Sequence, residues 1–271
     1  MINLIKNNSL VKLFHKAMED DIFALGSQLA YSLLLSFFPF LIFLFTIAGY
    51  STVESKDVLF SLKNILPYNA YTLIDKTVIE IFDSRKSNLL SFSFITTVLI
   101  ASNGFHAVIR ALNKAYDENE CRPFWKVQLI SILSVIGLTF LIIFSLFILV
   151  LGNLLKYKFA AWFTPSSSFY FIWDFLRYLV TLLIMVFIFA LLFKITPCKR
   201  LTLWDALPGA IFTTIGWIIV SMGFSFYVDN FANYSRLYGS IGAVIALLVW
   251  LFITSVIILV GGEINSLFGR K

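Results

Sequence analysis

Charge is scarce in this chain. Of its 271 residues only 13% are Asp, Glu, Lys or Arg, about half the share of a water-soluble domain, while 59% are apolar. That arithmetic excludes a soluble globular surface. Histidine is limited to His15 and His106, too few for a histidine-based pair of catalytic metals. Cysteine is limited to Cys121 and Cys198, far apart in sequence and a poor metal signature. Both fall in loops expected to face the cytoplasm, so two separate reduced thiols are expected and not a structural disulfide. There is no Walker-type glycine-rich loop, no G-x-S-x-G elbow and no H-E-x-x-H helix. The sequence therefore points to no cofactor and no metal, and it disfavours hydrolytic chemistry.

What is present is long apolar runs. They cover Ser27–Tyr50, Leu89–Ile109, Gln128–Asn153, Tyr170–Ile195, Leu203–Asp229 and Ser240–Gly262. In hydrocarbon every backbone N–H and C=O must be paired internally, and runs of this length do that as α-helices. Leu141-Ile142-Ile143-Phe144 is apolar on all sides, which excludes the alternation of a barrel strand. The expected fold is all-α: one integral membrane domain over 1–271 with six transmembrane helices and amphipathic surface helices. Tyr50, Trp162, Tyr170, Trp173, Tyr234 and Tyr238 gather toward the expected outer ends, and Trp125 and Trp204 toward the inner ends, as interfacial aromatics do.

Ahead of the first run, Leu10, Leu13, Phe14, Ala17 and Met18 recur at helical spacing, with Lys12, His15, Lys16 and Glu19 elsewhere on the wheel. This predicts an amphipathic helix over about 9–22, capped by Ser9 and lying on the inner leaflet, or packed on neighbouring loops. The first run is too long for a signal-peptide core, so it is expected to be retained as a span. In the outer loop, 51–88, Tyr71, Ile74, Val78, Ile81 and Phe82 predict a second surface helix. Pro39 removes a backbone donor inside the first span and is expected to bend it.

The basic residues sit at the ends of apolar runs, not in a patch suited to nucleic acid. Lys6, Lys12, Lys16, Arg110, Lys114, Arg122, Lys126, Lys194, Lys199, Arg200, Arg270 and Lys271 all fall on one side of a six-span chain. That side, with both termini, is expected to be cytoplasmic.

Polar residues inside the spans are the best pointer to a site, because each costs free energy unless partnered. Thr96, Asn103, His106, Arg110 and Asn113 share one face of the second span; Gln28, Ser32, Ser36 and Pro39 share a face of the first; Thr214, Ser221 and Ser225 share a face of the fifth. Two readings fit these stripes: a hydrated cavity that accepts a polar headgroup, or interhelical hydrogen bonds that hold the bundle together. His106 is read as a packing residue or as part of a proton relay. Asp174 and Arg177 are spaced for a local ion pair. Glu263, after Gly261-Gly262, is read either as the partner of Arg110 or Lys194 or as exposed at the headgroup level.

Several motifs together resemble one family. They are Leu29-Ala30-Tyr31 with Ser36 and Pro39, Ser102-x-Gly104-Phe105, Ala111-Leu112-Asn113-Lys114-Ala115-Tyr116, Pro208-Gly209-Ala210, Phe226-Tyr227, Tyr238-Gly239-Ser240-Ile241-Gly242, Trp250 and Gly261-Gly262-Glu263-Ile264-Asn265. In order and spacing they are similar to the YihY/virulence factor BrkB family of bacterial inner-membrane proteins. The resemblance implies a six-helix plasma-membrane protein, once labelled a ribonuclease and elsewhere linked to envelope integrity, serum resistance and lipid transport. Gly262 stands where that family usually has Ala, and Ser32 where a second aromatic is frequent.

With the polar stripes, the resemblance leads to an expected function: a non-enzymatic membrane protein that transports or accommodates a lipid or other amphiphile. Gln28, Tyr31 and Asn103 are expected to line its cavity, Arg110 and Asn113 to contact a headgroup or anion, and Glu263 to supply the balancing carboxylate. Expected partners are membrane lipids, with envelope proteins or a second copy besides. The alternative is a structural protein that organises envelope partners through the loop 51–88.

Overall fold

The computed structural model describes residues 9–49, 90–162, 167–199, 201–230 and 241–268, and every regular element among them is helical. The expected helix at the N-terminal side is α1, Ser9–Glu19. Six long helices follow: α2 (Ile22–Gly49), α3 (Leu90–Ala115), α4 (Phe124–Trp162), α5 (Ser167–Ile195), α6 (Leu203–Asn230) and α7 (Ile241–Phe268). The outer loop 51–88 and the aromatic residues Tyr50, Tyr234 and Tyr238 lie outside the described residues, as does the side chain of Thr96.

Five of the long helices, α2, α4, α5, α6 and α7, have the length and apolarity to cross a bilayer. The remaining one, α3, carries the polar face read from the sequence, which dilutes its apolarity. It is nonetheless a continuous helix of 26 residues, ~39 Å at ~1.5 Å per residue, long enough to span. It packs against α2, α4 and α7, which bury Asn113 of that face and leave Asn103 and Arg110 exposed. The protein is thus a multi-pass, all-helical membrane protein. Pro39 lies inside α2 without ending it, and Pro208 sits in the second turn of α6.

Each long helix packs on the next along the chain, and α7 closes the ring by packing on α2 as well as α6. The core at one end of the bundle is built from Ile22, Leu29, Ala107, Val108, Ala111, Leu112, Ala190, Phe193, Ala206, Ala210, Ile258 and Leu259. Its alanines follow from the solvent: lipid tails are as apolar as Leu, so helices associate by close approach, which small residues allow. Large apolar side chains such as Phe38, Leu133, Phe140, Phe171, Leu183, Ile219 and Met222 point outward, toward where lipid would lie.

The tightest approach is between α6 and α7. A Cβ added at Gly209 would collide with the Gly261 carbonyl and lie 2.5 Å from the Asn265 amide nitrogen. Asn265 fastens the crossing: its Oδ1 accepts the Gly209 N–H at 2.6 Å and its Nδ2 donates to the Ala206 carbonyl at 3.2 Å. Pro208, which has no N–H, interrupts the backbone pairing here, and the Asn265 side chain answers the groups beside it.

The basal polar cluster, a candidate functional site

The end of the bundle that carries α1 and the last turns of α7 is called basal here. At this end only one of the two lysines of α1, Lys12, lies exposed. Leu13, Lys16 and Ala17 turn inward, while Val11, Phe14 and Met18 face outward. The amphipathic helix is where the sequence placed it, but one of its lysines is a packing residue.

The reason is Glu263. This carboxylate, near the end of α7, is fully buried, and its Oε2 lies 2.8 Å from Lys16 Nζ, whose own side chain is only 15% exposed. The expected partners were Arg110 or Lys194, or the headgroup level. Neither holds, because α1 folds under the bundle and brings a nearer cation. Lys16 Nζ also donates to the Ala115 carbonyl at 2.7 Å and to Ser266 Oγ at 2.9 Å, and it pairs with Asp117 Oδ2 at 3.0 Å. The Ala115 carbonyl is one of the unpaired acceptors at the end of α3, so the cation also caps that helix.

Asp117 follows α3 with φ of 56°, in the left-handed region. Its N–H bonds to the Lys114 carbonyl, and the Glu118 N–H reaches the Asn113 carbonyl, the pairing of a Schellman ending with Asp where Gly is usual. This turn throws the chain sideways across the basal face.

Burial alone would lower the Lys16 pKa, but hydrogen bonds and charge from Glu263 and Asp117 outweigh it, and the net value lies above the ordinary 10.5. A raised lysine pKa stabilises the docked state below the unfolded value, and the contribution is lost as pH rises through the folded one. The contribution of Lys16 to the docking of α1 is therefore expected to be constant at neutrality and to be lost only above about pH 10.5. Hydrogen exchange of the α1 amides along an alkaline titration measures this.

A second knot lies beside the first. Glu120 Oε1 accepts from Arg122 Nε at 2.6 Å, and its Oε2 accepts from Arg122 Nη2 at 2.7 Å and from Asn113 Nδ2 at 2.9 Å. Arg122 in turn reaches the Thr196 carbonyl at 2.8 Å, and Asn113 Oδ1 accepts the Cys198 N–H at 2.7 Å. The Arg122 hydrogen bonds hold the Glu120 carboxyl down to about 2, against the opposing effect of burial. Burial pushes the neighbouring Tyr116 phenol up.

Together these contacts clamp the α3–α4 turn to the α5–α6 turn, and they bring Cys121 and Cys198 together as a disulfide with Cα atoms 6.0 Å apart. The expectation of two separate thiols is corrected: positions 77 apart in sequence meet because the two turns lie side by side. Glu120 completes a triad of metal-ligand type with the two sulfurs. Both its oxygens are already engaged by Arg122 and Asn113, so the carboxylate has no free position for an ion.

Between the two knots lies a cavity of about 460 Å³ lined by Asp20, Arg110, Asn113, Lys114 and residues 117–120. Of the residues read from the sequence, Arg110 and Asn113 reach it. Asn113 spends both ends of its amide on the clamp, so its part is structural. Glu263 lies behind Lys16 and is not among the lining residues. Gln28 and Tyr31 are exposed on α2, and Asn103 is exposed on α3.

Ser36 of the α2 stripe and Thr214 and Ser221 of the α6 stripe serve packing, while Gln28 and Ser225 are exposed. Ser36 is buried against Gly104, where an added Cβ would come within 3.0 Å of it. Ser221 accepts the Trp250 indole N–H at 3.2 Å, and Thr214 bonds back to the Ala210 carbonyl. His106 packs edge-on against Phe124, and Arg177 lies 3.7 Å from Asp174 as the local pair expected of them. Sequence reasoning missed Lys16 and Asp20 as site residues. The available signal was their spacing of four beside Leu13 and Ala17, which puts both at the edge of the face that docks.

Residues 13–271 match the family described as Virulence factor BrkB. The ribonuclease-like protein YfkH of Bacillus subtilis is 41% identical over 246 residues, covering 91% of this chain and 90% of that protein. A UPF0761 membrane protein of Alteromonas mediterranea is 27% identical, covering 94% of this chain and 85% of its own length. Another, of Pseudoalteromonas atlantica, is 26% identical, covering 97% and 86%. No solved structure matches. The helical multi-pass architecture and a family match that takes in α2 to α7 lead to one conclusion: the chain belongs to the BrkB family of membrane proteins.

Proposed function

We propose that the protein is a non-enzymatic membrane protein that accommodates a phosphate-bearing amphiphile, with the headgroup in the basal cavity. The observation that carries this reading is the continuity of α3. Ile95, Leu99 and Asn103 are exposed at successive turns, and the same side of the helix ends in Arg110 and Lys114, which line the cavity. An apolar tail along the first residues places its headgroup beside the guanidinium, whose fork suits a phosphate. The volume of about 460 Å³ is within the range of small-molecule sites.

The walls also hold Asp20, Asp117 and Glu118, so a headgroup carrying an amine as well as a phosphate fits better than a bare anion. Against hydrolysis, Asp117 is engaged by Lys16 and Glu120 by Arg122, while His15 pairs with Glu19 on α1, away from His106. With Lys12, Lys16, Arg110, Lys114, Lys126, Lys194 and Lys199 at the basal end, that end faces the cytoplasm of a bacterial plasma membrane by the positive-inside rule. In that reducing compartment the Arg122 clamp, more than the disulfide, holds the two turns together.

Retention of phosphatidylethanolamine and phosphatidylglycerol by purified protein, read by native mass spectrometry, tests the reading. Arg110→Ala is expected to lower retention about tenfold, the value of about one charge-assisted hydrogen bond, with the amine-bearing lipid favoured in wild type. Equal retention by wild type and Arg110→Ala overturns it.

A further inference from the structure

Behind Lys16 the carboxylates do not balance. Glu263 is fully buried, yet its Oε1 has no hydrogen-bond donor, and Asp20 Oδ2 is likewise buried without one. The two carboxyl groups are close neighbours, each with a buried oxygen that no donor meets. Two carboxylate oxygens are both acceptors, and acceptors cannot satisfy one another.

The neighbours do not supply the missing donor. Lys16 has three protons and already faces the Ala115 carbonyl, Ser266 Oγ, Glu263 Oε2 and Asp117 Oδ2. Beyond the turn after α3, the Tyr116 hydroxyl is itself buried without a hydrogen-bond partner and so donates to neither carboxyl, and Asp205 at the start of α6 adds only a further negative charge near that phenol. With both carboxyls ionised, a buried site would hold Glu263 and Asp20 against one lysine already shared with Asp117. Like charges this close in a dry site are relieved by taking up a proton.

We propose that Asp20 and Glu263 form a proton-binding site, one proton held between Asp20 Oδ2 and Glu263 Oε1 at neutral pH and exchanged with the basal cavity through Asp20. The geometry supports each part. The shared proton turns an acceptor–acceptor contact into a hydrogen bond, leaves the pair with one negative charge opposite Lys16, and removes both unsatisfied oxygens at once. Asp20 also lines the cavity, so the proton has a route to solvent that Glu263 lacks. The site joins α1 to α7, and its ligand is the proton whether or not the cavity takes a lipid.

Infrared spectroscopy of the full chain in nanodiscs tests this. At neutral pH the wild type is expected to show a protonated-carboxyl C=O stretch that shifts in D2O. Glu263→Gln and Asp20→Asn are each expected to abolish it, because the new amide N–H donates the bond that the proton made. Glu19→Gln, exposed on α1, is expected to leave the band in place. Absence of the band from wild type overturns the proposal, and so does its persistence in both amide variants. Circular dichroism identifies any variant that does not fold, and the other amide variant then decides the outcome by the same reading.

Discussion

Lys16→Met is expected to destabilise the protein by about 3–5 kcal/mol, the cost of leaving a buried charge without its partner. Glu263 is fully buried, and the cation supplies its only ion pair among the described residues, together with a cap on the α3 carboxyl end. The loss concentrates at the basal end, so α1 amides should lose exchange protection before α5 or α6. The double variant Lys16→Met/Glu263→Met is expected to recover most of the stability, because the desolvation penalty of two charges disappears with their attraction. Thermal unfolding in detergent measures all three. A Lys16→Met protein within about 0.5 kcal/mol of wild type would place it among ordinary surface substitutions, and the ion pair would then hold nothing.

The second large effect is expected from one methyl group. Gly209→Ala puts a Cβ into the Gly261 carbonyl and within 2.6 Å of the Asn265 side-chain Cγ. Overpacking of this kind costs about 1–3 kcal/mol where side chains can yield, and more where the obstacle is backbone. No monodisperse protein is expected from Gly209→Ala. Gly261→Ala differs, since its new Cβ meets the Thr213 hydroxyl, with Phe193 at 2.9 Å and the Gly209 carbonyl at 3.0 Å. Adding Thr213→Ala is therefore expected to restore part of the yield of Gly261→Ala and none of Gly209→Ala. Size-exclusion profiles of the four proteins decide it, and rescue of Gly209→Ala would show that the crossing is looser than described.

The architecture was legible because the membrane imposes a simple rule: a long apolar run must be a helix, and the polar face of α3 could be read at helical spacing from Asn103 to Asn113. The sites where sequence reasoning fell short are contacts between distant elements. Lys16 looked like a headgroup lysine because it sits on an amphipathic helix, and nothing local indicates that a carboxylate 247 residues further on will be sealed above it. Cys121 and Cys198 looked independent because the clamp that unites their turns is made by Glu120, Arg122 and Asn113, none of them conspicuous alone. Conversely Gln28, Tyr31 and Ser36 share a helix, but helical spacing cannot tell which way that face turns. The close fit of Ser36 to Gly104 decides it.

The seam between the first and last described helices sets an order of events. The lysine of α1 emerges from the ribosome ahead of α2 to α6, and its carboxylate arrives only with α7. Until α7 is made the basal end is therefore held open, with the Gly209 groove unfilled and a cation waiting. A chain cut short before α7 presents both defects to the quality-control proteases of the cell, and one that reaches α7 conceals them. Closure of the ring thus serves as a check that α7 is in place.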